Sequence, residues 1–286
     1  QWRQVVNVRD AYRRLDKVLA LAADQPPSMP LPAPQGKLSV EAVMAAAPGS
    51  NAAILRGVSF ALQPGETVIM IGPSAAGKTT LARLLMGIWP AASGKVRLDG
   101  ADIHAWDKTE LGPHLGYLPQ TVELFDGTLA ENIARFGDIN QDNVRAAAEL
   151  VGLSGFIDKL PDGYQTRIGE DGAFLSGGQR QRVGLARAIY GNPKFVLLDE
   201  PNSSLDEAGE QALFNMLMTL KQRKCTTIII THRTSVLPAA DKILLLRDGQ
   251  VAGFGPRDDI LNALKQAQLQ KTAQAIPPAT AVQGAA

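Results

Sequence analysis

Residues 68–86 read Val68-Ile-Met-Ile-Gly72-Pro-Ser-Ala-Ala-Gly-Lys-Thr79-Thr-Leu-Ala-Arg-Leu-Leu-Met86. Four aliphatic residues run into a glycine turn, and a helical pattern follows it. Gly72, Pro73, Ser74, Ala75, Ala76, Gly77, Lys78 and Thr79 fit G-x-x-x-x-G-K-[ST], and Thr80 carries the motif into the helix. Strand, turn and helix in that order are the context the motif requires. The glycines let backbone N–H groups turn inward around phosphate oxygens. The helix N-terminus adds partial positive charge. Lys78 is expected to reach the β- and γ-phosphates of ATP, and the Thr79 hydroxyl to ligate Mg²⁺.

Outward from this stretch, Lys194–Leu198, Thr227–Ile230 and Lys242–Leu246 are further short aliphatic runs. Unbroken runs of this kind suit parallel strands covered on both faces. Helical patterns separate them, so the fold class is α/β. Residues from about 122 to 175 are richer in helix signals and read as a separate helical lobe. Residues 1–23 read as an amphipathic helix, with Trp2, Val5, Val6, Tyr12, Leu15, Val18 and Leu19 near helical spacing. A proline-rich linker over 24–36 follows, and the main domain spans 37–262. The Ala-, Gln- and Pro-rich end, 263–286, reads as a disordered tail.

Composition narrows the function classes. The chain has 286 residues, 45% of them hydrophobic, enough for a sizeable core. Its formal net charge of +1 argues against a general nucleic-acid binder. No apolar run reaches the roughly 18 residues that span a bilayer. Cys225 is the single cysteine and reads as a buried small hydrophobe before Thr226–Ile230. The chain starts at Gln1 and reads as a piece of something longer.

A second acid must complete the phosphate site. Phe195-Val-Leu-Leu-Asp199-Glu200 supplies it at a strand end. Asp199 suits the Mg²⁺ shell. Glu200, one residue on, points at the attacking water. A second anion site is written into Leu175, Ser176, Gly177, Gly178 and Gln179, which open another helix.

These motifs, with Gln120, Ser204-Leu205-Asp206 and His232, occur in the order seen in ABC ATPases, and the resemblance covers about 37–260. It implies a P-loop fold with a RecA-like core, an antiparallel β subdomain and a helical subdomain. It also implies a head-to-tail homodimer, each ATP lying between one copy's P-loop and the other's Ser176-Gly177-Gly178. By the same resemblance Gln120 touches Mg²⁺ and water, Asp206 lies in the loop crossing the interface, and His232 contacts the γ-phosphate. Glu200 implies a hydrolysing site.

Thr166–Gly172 resembles the exporter segment that meets the membrane domain. Gly116–Ile133 is similar to the ATPases of type I secretion systems of the PrtD kind. The resemblance implies a transmembrane domain upstream, touched by Phe125 and Glu170. It further implies a place on the cytoplasmic face of a bacterial inner membrane, with a periplasmic adaptor and an outer-membrane channel as partners. An exporter of lipids or small molecules and a non-transport ABC ATPase are the alternatives. One departure stands out. Where such domains carry an adenine-stacking aromatic, this chain has Ala47 before Pro48-Gly49, so weaker adenine contact is expected.

Overall fold

The computed structural model describes residues 2–23, 30–46, 52–169 and 172–274. Ala47 and Glu170 lie outside the described residues, as does the chain from 275 onward. Two sheets organise the main domain. The larger has six strands in the order β10-β9-β3-β8-β7-β6. These are β3 (Thr67–Ile71), β6 (Leu115–Leu118), β7 (Phe195–Asp199), β8 (Thr226–Ile230), β9 (Lys242–Arg247) and β10 (Gln250–Pro256). All neighbouring pairs are parallel except β9–β10. The four aliphatic runs of the sequence are β3, β7, β8 and β9, each within one residue of its expected end.

Their unbroken hydrophobicity has a direct cause in the packing. Along β3, Val68 and Met70 face one core while Ile69 faces another. β7 repeats the division, with Phe195 and Leu197 on one side and Val196 and Leu198 on the other. Side chains alternate across a strand, so a sheet buried on both faces needs apolar residues at every position. One core is shared with α2 (Lys78–Leu85) and the smaller sheet; the other with α7 (Gly177–Ile189), α8 (Glu207–Gln222) and the helical lobe.

The smaller sheet is wholly antiparallel, in the order β2-β1-β4-β5. It comprises β1 (Leu38–Ala46), β2 (Ala53–Leu62), β4 (Ser93–Leu98) and β5 (Ala101–Asp102). It docks on the large sheet beside the phosphate turn, where Arg56 N–H donates to the Gly249 carbonyl at 2.8 Å. The short helix α3 (Lys108–Leu111) precedes β6, and the helical lobe carries α4 (Leu129–Ile133), α5 (Gln141–Leu150) and α6 (Ser154–Ile157).

Two expected boundaries move. The stretch over 24–36 does not end as a free linker. Asp99 accepts hydrogen bonds from the N–H groups of Gln35, Gly36 and Lys37, and Thr226 Oγ1 donates to the Gly36 carbonyl at 2.6 Å. The domain edge therefore starts a few residues before Lys37. At the other end, α9 (Arg257–Gln274) continues through residues 263–274, which composition assigned to an unstructured tail. Those residues are mostly Ala, Leu, Lys and Gln, good helix formers, and Asp258 and Asp259 favour the first turn. The N-terminal helix is α1 (Trp2–Ala23), with Val5, Val8, Tyr12 and Leu15 exposed along it. No helix of the described residues is long and apolar enough to cross a membrane.

Cys225 is fully buried just before β8, and burial pushes its thiol up to about 12. A thiol that stays protonated and covered is a poor nucleophile. A maleimide or disulfide reagent at pH 8 is therefore expected to leave the native chain unmodified and to react fully once denaturant is added. Stoichiometric labelling of the folded chain would contradict that reading.

Candidate functional site

The parallel strands β3, β6, β7 and β8 deliver the site residues to one edge of the sheet, their carboxyl ends. Open α/β sheets bind ligands there. β3 ends in the glycine turn, which winds tightly: Ala75 and Gly77 have φ of +63° and +96°. Alternating left-handed residues aim successive N–H groups into one concavity. Gly72 is required by proximity, since a Cβ there would lie 2.2 Å from the Leu246 carbonyl oxygen. Gly77 then caps α2, whose first turn opens on a cavity of about 350 Å³ lined by Ile54, Ala75, Gly77, Lys78, Thr79 and Thr80. Lys78 Nζ donates to the carbonyls of Gly72 and Pro73 at 2.7 and 2.9 Å. The cation thus folds back over its own loop, within a side-chain rotation of the cavity.

β7 brings Asp199 beside this turn. Thr79 Oγ1 donates to Asp199 Oδ2 at 3.4 Å, a long bond that leaves most of the carboxylate's accepting capacity free. Asp199 is almost fully buried. Burial, followed by the negative charge of Glu200, raises its pKa above the ordinary carboxylate value. A buried carboxylate facing a hydroxyl, held against its own charge, fits a hard divalent cation bound through oxygen.

Glu200 follows in a left-handed conformation, φ +52°, which residues other than glycine adopt uncommonly. Its N–H donates to the Ile230 carbonyl at 2.8 Å, which ties the turn to the end of β8. The side chain reaches to 3.4 Å from His232 Nε2, and His232 is itself half exposed. Gln120 sits on the exposed turn after β6, the strand that pairs with β7. The fold therefore gathers Lys78, Thr79, Asp199, Glu200 and His232 at one edge, with Gln120 on the adjacent strand end.

Ser176–Gln179 is held elsewhere. Ser176 is the N-cap of α7 in a reciprocal capping box. Its Oγ accepts from Gln179 N–H at 3.2 Å, and Gln179 Oε1 accepts from Ser176 N–H at 2.8 Å. The Gly177 and Gly178 amides, at the first two helical positions, have no acceptor within the helix. A separate cavity of about 320 Å³ is lined by Ser176, Gly178, Gln179, Arg182, Ser204 and Asp206. Leu175 and Leu205 are buried in one core, so the polar residues beside them are fixed from below. Asp206 caps α8 through Gly209 N–H and pairs with Arg182 of α7. That backbone bond, more than the arginine, holds its carboxyl below the usual range. Within one chain the two cavities share no lining residue.

Three polar residues went unmarked in the sequence. Gln181, buried on α7, donates to the carbonyls of Glu200 and Pro201, so the helix that starts at Ser176 braces the Glu200 turn. Thr231 Oγ1 donates to Asn202 Oδ1 at 3.0 Å and accepts from Arg233 N–H, which fixes the loop carrying His232. Arg135 donates to the backbone carbonyls of Gly112, Leu115, Arg187, Ala188 and Tyr190, and so joins the helical lobe to α7 and β6.

Comparison with known proteins places this geometry among relatives. A family profile described as ABC transporter matches residues 55–203. The chain is 44% identical over 268 residues to the type I secretion system ATP-binding protein PrsD of Rhizobium meliloti, covering 93% of this chain and 46% of that protein. It is 40% identical over 233 residues to an ATP-dependent lipid A-core flippase of Chromobacterium violaceum, covering 81% of this chain and 40% of the flippase. Among solved structures it resembles a bacterial Atm1-family ABC exporter with ATP bound. The TM-score is 0.80 at 33% identity, over 95% of this chain and 48% of that one. The chain spans less than half the length of each of these relatives.

Proposed function

The chain belongs to the ABC transporter family, and on that premise we propose that it is the ATP-hydrolysing part of a half-transporter that exports protein by type I secretion. The observation that carries this reading is the 44% identity with PrsD along 93% of the chain. The similarity to the lipid A-core flippase, at 40% over 81%, favours a lipid or small-molecule exporter as the second reading.

ATP lies with its phosphates in the Gly72–Thr79 turn. Lys78 leaves the carbonyls of Gly72 and Pro73 to meet the β- and γ-phosphate oxygens. Thr79, Asp199 and Gln120 would hold Mg²⁺, and the ion, when bound, would supply positive charge against the phosphate oxygens. Glu200 orients and deprotonates the attacking water. His232, within reach of Glu200, contacts the γ-phosphate. The separation of the two cavities supports a head-to-tail pair. In it, the second copy's Ser176-Gly177-Gly178 amides and helix dipole cover the γ-phosphate, and Ser204-Leu205-Asp206 lines the interface. ATP binding closes the pair, and loss of phosphate opens it, a two-state switch passed to a membrane domain. Phe125, 60% exposed on the helical lobe, is a contact for that domain. On this reading the ATPase works at the cytoplasmic face of a bacterial inner membrane, with a periplasmic adaptor and an outer-membrane channel.

The test is a comparison of secreted proteins. Glu200→Gln is placed in the full-length protein in its own host. Loss of a few specific proteins from the medium at normal growth is the expected result and names the cargo. An unchanged medium with ATP turnover abolished rejects protein secretion in favour of the lipid or small-molecule reading.

A further inference from the structure

The cavity beside the phosphate turn has no aromatic among its described lining residues; its only sizeable apolar group is Ile54. These described residues offer a base little flat surface to lie on. The most exposed large hydrophobic side chain among the described residues is Phe174, at 81%. Burying a phenyl ring is normally favourable, so an aromatic left this open needs an explanation. Phe174 directly precedes Leu175, which is buried and pins the segment to the core. The ring edge rests near Gly169, where an added Cβ would lie 3.4 Å from Phe174 Cε2. Phe174 is thus held by the chain two residues ahead of Ser176, which lines the second cavity.

We infer that Phe174 stacks on the adenine of the ATP held by the other copy's P-loop, so the base is read across the interface. This rests on the head-to-tail reading above. Chain geometry supports the reach. Two residues span at most about 7 Å, and the phenyl ring extends further from its Cα. With a γ-phosphate at Ser176, a ring anchored at residue 174 is placed to lie beside the nucleoside end of the same nucleotide. The feature is also selective. A phenyl ring offers no hydrogen bond, so it recognises a planar base by stacking alone, and the triphosphate supplies the rest.

The consequence is a split between two affinities. ATP binding to a single copy does not involve Phe174, whereas ATP-driven pairing does. In a Glu200→Gln background, which preserves bound ATP, Phe174→Ala is expected to raise the ATP concentration for half-maximal dimerisation by about tenfold. That is the size of one lost base–aromatic stack. The affinity of dilute, monomeric protein for ATP stays the same. Phe174→Tyr restores the dimerisation midpoint. Phe174→Trp restores it too, and its added fluorescence is quenched by ATP only at protein concentrations where pairs form. Light scattering and fluorescence titration read both quantities. An unchanged midpoint in Phe174→Ala overturns the proposal, as does an equal loss of monomer affinity. If the Glu200→Gln parent itself never pairs with ATP, the head-to-tail premise fails and the stacking role falls with it.

Discussion

Glu200→Gln is expected to cut steady-state phosphate release by about 10²–10⁴-fold, the usual contribution of a positioned general base. Glutamine keeps the shape and the left-handed backbone that Glu200 adopts, so the turn held by Gln181 and Ile230 is retained. What is lost is a carboxylate able to take a proton from water. ATP binding should survive, because Lys78 and the turn amides are untouched. Cation binding should survive as well. The Glu200 charge is one of the two influences that raise the Asp199 pKa, so removing it makes Asp199 easier to ionise. The variant should therefore hold MgATP at least as tightly as the parent while failing to turn it over. Phosphate release and equilibrium nucleotide binding, measured on one preparation, separate these effects. Turnover within a few-fold of the parent would move the general-base role to another group, with His232 the nearest candidate at 3.4 Å.

What could be seen in the sequence follows from where each interaction is encoded. The phosphate turn is local: one contiguous octapeptide between a strand and a helix holds the geometry and the chemistry together. β3, β7, β8 and β9 were legible because burial on two faces leaves an aliphatic residue at every position. α9 was not legible past residue 262, because a run of Ala, Gln and Lys suits both an exposed helix and a loose tail. Phe174 escaped notice because a single phenylalanine before a core leucine reads as more core. Only its exposure distinguishes it. Gln181 and Arg135 escaped for a different reason: their partners are backbone carbonyls, which every residue has and no sequence pattern marks. The two anion motifs lie far apart in the sequence, and the fold keeps them in cavities that share no lining residue.

Arg135→Met is expected to destabilise the chain by about 3–5 kcal/mol, on the scale of breaking a buried charged hydrogen-bond network. The Arg135 guanidinium donates to five carbonyls: Gly112, Leu115, Arg187, Ala188 and Tyr190. Three of these close the C-terminal end of α7 (Gly177–Ile189), where a helix leaves its last carbonyls without internal partners and carries partial negative charge. The other two begin β6 and the turn before it. Arg135 itself leaves α4 in a left-handed conformation, φ +59°, so the lobe's backbone is bent to deliver it. Burial, then the nearby Arg187 charge, lowers its pKa, so the site is electrostatically costly and is kept by its hydrogen bonds. Methionine fills similar volume and offers no donor, which leaves several covered carbonyls unsatisfied. Lysine retains the charge with a different donor geometry and should fall between the two. Denaturant unfolding followed by circular dichroism gives the free energy, and a loss under about 1 kcal/mol for Met would reject the clamp. There is a functional corollary. α7 begins at Ser176 and ends on Arg135, so one helix joins the proposed γ-phosphate contact to the helical lobe. A loosened C-terminal end should weaken ATP-driven pairing before it unfolds the domain, and pairing measured well below the unfolding midpoint would register that first.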